Sequence, residues 1–298
     1  MEAALVAMRL VQFAAAMVLL GSPVFGLAFG LRFPPTSPVR QEFDRWLRRM
    51  LLVAALAALA SAALWLDFEA AIMGDGWDRA LDPGTVRAVL LETEFGHAWC
   101  WHLGLGGALL AVVPFVPLRS TSLGAVGVLG AAFVASLAWA GHAVMHPGVT
   151  HVLVMGLHLL AAGLWLGSLP ALFHLIGQAR RNRATDADAA VRYLLPLYSR
   201  AGYGVVALVL LTGIVNSAFL VGSAGALVAT AYGRTLLIKI ALVLAMVGLA
   251  ARNRFWLMPA AVAHPGPLWR SVRLELGLGG LVLAAVSLLG TLPPALRH

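Results

Sequence analysis

Eight runs of about 20 mostly apolar residues follow one another along the chain, and each is long enough to cross the hydrocarbon core of a bilayer as a helix. They span Met8 to Gly30, Met50 to Ile72, Phe95 to Pro117, Leu123 to Met145, Val149 to Ile176, Ala201 to Gly222, Arg234 to Trp256 and Val272 to Leu292. Lipid offers backbone groups no hydrogen-bond partner, so segments of this kind satisfy themselves as helices. The expected fold is an all-α polytopic membrane protein with about eight transmembrane helices. Composition excludes the water-soluble alternative: 61% of the 298 residues are hydrophobic and 11% are charged, against roughly 45–50% and 25% in soluble domains.

The net charge of +8 does not read as a nucleic-acid surface, because the cations sit in short Arg clusters between apolar runs. The first connection carries Arg32, Arg40, Arg45, Arg48 and Arg49, and the third has Arg119. The fifth holds Arg180, Arg181, Arg183, Arg192 and Arg200, and the seventh Arg252, Arg254, Arg270 and Arg273. The second connection is acidic instead, with Asp75, Asp78, Asp82, Glu92 and Glu94. Cytoplasmic loops carry the Lys and Arg excess, so the odd-numbered connections are expected inside and both termini outside, in the periplasm of a two-membrane cell. The N-terminus lacks the basic region and cleavage site of a removable signal peptide. The longest outer loop, Met73 to Glu94, is too short to fold alone, so residues 1–298 are expected to form one membrane domain. Neither a nucleophile motif nor paired catalytic carboxylates are present, which argues against an enzyme.

The two halves, about 1–148 and 149–298, resemble each other. Thr93-Glu-Phe95-Gly96-His97, followed by His102, matches Thr230-Ala-Tyr232-Gly233-Arg234, followed by Lys239. Gln12 with Ala15, Ala16, Gly21 and Ser22 matches His158 with Ala161, Ala162, Gly167 and Ser168. Equivalent helices lie four spans apart and so run the same way, which predicts a parallel four-plus-four repeat about an axis along the membrane normal.

Six of nine histidines fall in the outer half of the membrane or at its rim: His97, His102, His142, His146, His151 and His158. His142 and His146 are an i,i+4 pair, and His151, Met155 and His158 form an i, i+4, i+7 stripe on one helix face. Met145 lies three residues from His142 and Cys100 three from His97, whereas His97 and His102 point roughly 140° apart. Imidazole with thioether or thiol suits copper, and zinc less well. Rim histidines also serve as plain interface residues, so His142 and His158, set deeper among apolar neighbours, are the stronger candidates. Cys100 also reads as a small packing residue, and Trp65, Trp99, Trp101 and Trp139 as an outer aromatic belt. Asn216 is expected to hydrogen-bond between helices. Lys239 is expected to snorkel outward or pair with Asp67 or Glu69. A second arrangement is a b-type haem clamped between His102 and His158, which lie at similar depth on different helices.

His158-Leu-Leu-Ala-Ala-Gly-Leu-Trp165-Leu-Gly167, Thr212-Gly-Ile-Val-Asn216, Tyr232-Gly-Arg234 through Lys239, Arg273-Leu-Glu275 and Leu289-Gly-Thr-Leu-Pro-Pro294 together resemble the copper resistance protein D (CopD) family of bacterial inner-membrane proteins. The likeness covers roughly Val149 to Pro294, and Gly141-His142-Ala143 adds to it. It implies copper movement across the inner membrane beside a periplasmic copper-binding protein of the CopC kind. It also implies His142 and His158 at motif positions, with Trp165, Asn216 and Lys239 as framework. His102 departs from the pattern, standing where many relatives carry Arg. Copper uptake is the leading expectation. The alternatives are a haem redox protein and a subunit that hands copper to a cupro-oxidase.

Overall fold

The structure, a computed structural model, describes residues 2–30, 33–115, 120–140, 149–181, 185–261 and 263–295. Its helices are α1 (Glu2–Gly30), α2 (Pro38–Met73), α3 (Pro83–Glu92), α4 (Glu94–Val112), α5 (Ser120–Ser136), α6 (Thr150–Arg181), α7 (Thr185–Leu220), α8 (Ala224–Ala229), α9 (Ala231–Arg252) and α10 (Pro265–Leu289). Among the described residues seven helices are long and apolar enough to cross a membrane: α1, α2, α5, α6, α7, α9 and α10. The remaining expected span is α4, whose 19 residues include Glu94, His97 and His102, and which packs against α2, α3 and α5. Several helices outrun their apolar stretch. α2 begins at Pro38 rather than Met50, and α7 at Thr185 rather than Ala201. Hydropathy marks only the part of a helix that lies in lipid, while backbone hydrogen bonding carries the same helix into water.

α1 and α6 form the centre of the bundle. They cross where both sequences are small, and the contact is reciprocal. A Cβ on Gly21 would overlap the Gly163 carbonyl oxygen and the Gly167 backbone, while a Cβ on Gly167 would overlap the Met17 carbonyl oxygen. Close backbone approach through small residues is the usual route to helix association in membranes, where van der Waals packing replaces the hydrophobic effect. Ser22 Oγ secures the crossing by donating to the Gly167 carbonyl at 2.5 Å.

The matched Thr-x-aromatic-Gly segments build the same device twice. Thr93 caps α4 by accepting from the Gly96 N–H at 2.9 Å and donates back to the Val89 carbonyl of α3 at 2.6 Å. Thr230 caps α9 by accepting from the Gly233 N–H at 2.9 Å and donates to the Ala226 carbonyl of α8 at 2.8 Å. Gly96 and Gly233 are both required, because a Cβ would overlap the carbonyl oxygens of Val89 and Ala226 respectively. In the loop before α3, the half-buried Asp82 side chain accepts from the backbone N–H and hydroxyl of Thr85. That holds its carboxyl below the usual aspartate range.

The Arg-rich segments gather at one end of the bundle. There the His174 ring stacks on Trp46 at 4.3 Å, and Arg181 meets Glu42 at 3.4 Å. At the opposite end Arg9 of α1 lies against Gly290 after α10, and Gly222 after α7 bonds the Ala295 carbonyl at 2.8 Å. The large side chains of α7 and α9 that face outward include Leu211, Val215, Leu237 and Ile238, as a lipid-facing surface requires.

Candidate functional site

Each half places a polar knot at the same height. In the first half Gln12, fully buried, meets His102 Nε2 at 2.7 Å and accepts from Ser61 Oγ at 2.5 Å. His102 Nδ1 lies 2.7 Å from Ser136 Oγ, whose own hydrogen goes to the Phe133 carbonyl. Ser136 therefore accepts from the Nδ1–H, and Nε2 accepts from the Gln12 amide. Both ring nitrogens of His102 are committed to protein partners. Its ring is also sandwiched, 4.7 Å from Trp99 and 4.0 Å from Phe133, and Trp99 packs on Trp65 at 4.9 Å. This aromatic stack closes the space between α2 and α4.

In the second half His158 takes the place of Gln12, Thr212 that of Ser61, and Lys239 that of His102. His158 Nδ1 lies 2.9 Å from Thr212 Oγ1. The Thr212 hydroxyl donates to the Leu208 carbonyl at 2.5 Å, so it accepts from His158. The proton therefore sits on Nδ1, which leaves the Nε2 lone pair available to a ligand. A hydrogen bond that fixes the tautomer in this way is the usual support of a metal-binding imidazole. The stack is gone here: Asn216 follows Thr212 by the spacing at which Trp65 follows Ser61, and Leu236 precedes Lys239 by the spacing at which Trp99 precedes His102. α2 and α4 pack directly together, whereas α7 and α9 hardly touch.

The space left open is a cavity of about 490 Å³, lined by residues of α1, α6, α7, α9 and α10, with Trp65 of α2 and Leu137, Ala138 and Ala140 after α5, within the size range of ligand pockets. Its wall is mostly aliphatic. The polar groups on it include His158, Asn216, Lys239, Tyr232 and Arg9, with the thioethers of Met155, Met17 and Met246. Among the described residues no Asp or Glu lines it. Both amide atoms of Asn216 are buried and lack a partner among the described residues, so the expected interhelical hydrogen bond does not form and the side chain faces the cavity instead. Lys239 likewise forms no ion pair with Asp67 or Glu69 among the described residues. It lines the cavity, while Glu69 accepts from Trp65 Nε1 at 3.0 Å. Arg9 was not singled out from the sequence. It stacks on Trp65 at 4.4 Å, is 9% exposed, and its signal was a cation placed two residues into an apolar run.

Of the expected ligands, His158 and Met155 share the cavity wall, one turn apart, with Trp165, Asn216 and Lys239. His151 is buried elsewhere, its ring stacked on Phe219 at 4.5 Å. His97 is exposed on α4 and bonds the Leu91 carbonyl at 2.9 Å. Cys100 is exposed on the same helix. His142, Met145 and His146 lie outside the described residues. Among the described residues no group of three or more His, Cys, Asp or Glu side chains converges as a metal cage. The haem arrangement through His102 and His158 gains no support, because His102 has neither a free nitrogen nor open space beside its ring. The aromatic belt divides: Trp101 and Trp139 are exposed as expected, but Trp65 and Trp99 are core residues, 1% and 0% exposed.

Residues 1–152 match the family described as "Copper resistance protein D-like, N-terminal domain", and residues 192–289 match "Copper resistance protein D". The chain is 33% identical over 301 residues to the inner membrane protein YebZ of Escherichia coli (strain K12), covering 97% of this chain and 98% of that one. It is 33% identical over 307 residues to a copper resistance protein D of Pseudomonas syringae pv. tomato, covering 98% and 97%. It is 30% identical over 255 residues to the copper transport protein CutJ of Bacillus subtilis (strain 168), covering 82% of this chain and 46% of that one. No solved structure matches. The apolar helices and these relatives together make the chain a multi-pass inner-membrane protein.

Proposed function

The chain belongs to the copper resistance protein D family, and from that premise we propose that it carries copper inward across the inner membrane through the cavity between α6, α7 and α9. The observation that carries this reading is the pairing of a tautomer-fixed His158 with Met155 on the wall of that cavity. Neutral imidazole and thioether are soft donors that favour Cu(I). The cations Arg9 and Lys239 on the same wall, with no carboxylate lining it among the described residues, disfavour a divalent ion. Trp165, Asn216 and Lys239 shape the chamber, and His142 and His146, with Met145, supply ligands from the segment between α5 and α6. His97 and His151 belong to the outer approach, where a periplasmic copper-binding protein of the CopC kind delivers the ion. His102 holds the closed half together. Support for copper as cargo comes from the family and from the printed name of CutJ. The Arg-rich end faces the cytoplasm, so the cavity opens toward the outer half of the membrane.

The test is His158→Ala. Copper accumulation by cells and copper stoichiometry of the purified protein are expected to fall at least tenfold, with protein abundance unchanged. Wild-type values for both would overturn the assignment.

A further inference from the structure

A buried carboxylate lies below the cavity, on its cytoplasmic side. Glu275 of α10 is 3% exposed. One carboxylate oxygen accepts from Trp165 Nε1 of α6 at 3.1 Å, and the other from Asn253 Nδ2 at 3.1 Å. Asn253 opens a single π-helical turn, Asn253–Leu257, at the end of α9, a distortion frequently found at functional sites. Trp165 also lines the cavity. It sits seven residues below His158 on α6, about 10 Å along the helix. Trp165 therefore touches both the cavity and the carboxylate.

The carboxyl group is hydrogen-bonded at both oxygens but has no charged partner among the described residues. Two N–H donors compensate part of a charge that is costly to place in a membrane interior, and among the described residues no Lys, Arg or His pairs with it. The packed elements present Trp165 and Ser168 from α6, Tyr198 from α7, Asn253 from the π turn, and Ser271 and Arg273 from α10 itself. The Tyr198 hydroxyl is taken up by Ser168 at 3.2 Å, and Arg273 lies 5.3 Å over the Trp269 ring. Two acceptors remain open: Asn253 Oδ1, beside the carboxylate, and Ser271 Oγ, one turn before Glu275 on α10, both buried and without partners among the described residues. The donors here are all oxygen, which is a poor set for soft Cu(I). Among the described residues only this one carboxylate is present, too few oxygens for the six-fold shell of a hard dication.

We propose that Glu275 with Asn253 is a proton-binding site that exchanges with the cation in the cavity. The inference rests on the transport reading. When Cu(I) binds above Trp165, its charge biases Glu275 against holding a proton by on the order of tenfold at this separation, and the proton leaves as H⁺ to the aqueous phase. One positive charge enters the bundle and one departs, so the exchange is electroneutral and needs no redox partner.

Two measurements on the purified full-length chain test it. In the absence of copper, infrared spectra taken across a pH series are expected to show a buried carboxyl that gains and loses a proton, and Glu275→Gln is expected to remove that band. Its persistence in Glu275→Gln overturns the proposal whatever copper does. In proteoliposomes with a trapped pH dye, adding Cu(I) is expected to move protons opposite to copper. Glu275→Gln is expected to cut that proton signal at least tenfold, with Glu275→Asp restoring part of it. An unchanged proton signal in Glu275→Gln, or copper flux without proton movement in the wild type, overturns the coupling. A wild type that shows the carboxyl band but binds no copper removes the transport reading and with it the exchange.

Discussion

One hydroxyl decides what His158 can do. Because Thr212 gives its own hydrogen to Leu208, it can only accept from His158, and the ring is left with a lone pair pointing away from that bond. His102 is built in the same way against Ser136, yet its second nitrogen is consumed by Gln12. Identical chemistry thus leaves an open ring nitrogen in one half and a strut in the other. Asn216 makes the complementary point. It occupies the place that Trp65 fills in the first half, and its amide has no partner among the described residues. Asn216→Trp is therefore expected to fill the chamber from the side. Copper flux in proteoliposomes should drop at least tenfold while thermal unfolding of the purified protein stays within a few degrees of wild type. A variant that transports normally would show that the cavity is not the route.

At the scale of elements, the α1–α6 crossing bears most of the bundle. Its two glycines meet backbone on backbone, so there is no flexible side-chain end to move aside. Gly167→Ala is expected to cost about 1–3 kcal/mol through overpacking, read as a lowered unfolding midpoint in detergent. Gly202→Ala, where a Cβ meets nothing within contact distance, is the control and should leave that midpoint unchanged. The crossing and the paired Thr–Gly caps were both visible as short sequence matches between the halves, because each depends on residues within one or two turns. The separation of α7 from α9 was not visible. It follows from the absence of bulk at Asn216 and Leu236, and no local pattern announces a missing side chain.

For the whole molecule, the proposed orientation needs α4 to cross beside the seven apolar helices; eight crossings would place both chain ends on the side away from the Arg clusters. In a Cys100→Ser background, Asp78→Cys is expected to react with a membrane-impermeant maleimide in intact spheroplasts, and Gln41→Cys only after lysis. The reverse pattern would invert the bundle and turn the proposed uptake into export. The grouping of charge supports the stated orientation: Arg180 and Arg273 both pack over the Trp269 ring, and Arg40 pairs with Asp44 at 2.7 Å, all at one end.

Membrane residence, the all-α class and the match of Gln12 with His158 follow from the order of residues along the chain, because apolar length and helical period are local properties and lipid leaves few alternatives; the expected eight spans became seven apolar helices and the more polar α4. The same order brought out His158 and Met155, which sit one turn apart on a single helix. It did not separate them from His97, Cys100 and His151, since a helix face can be read from spacing but its neighbour cannot. Only packing shows that one histidine stacks between Trp99 and Phe133, another looks outward, and a third borders a chamber. The Glu275 site, with partners from α6 and from the turn after α9, is non-local in the same sense: three segments far apart in sequence supply one carboxylate and its donors, and the folded bundle alone brings them together.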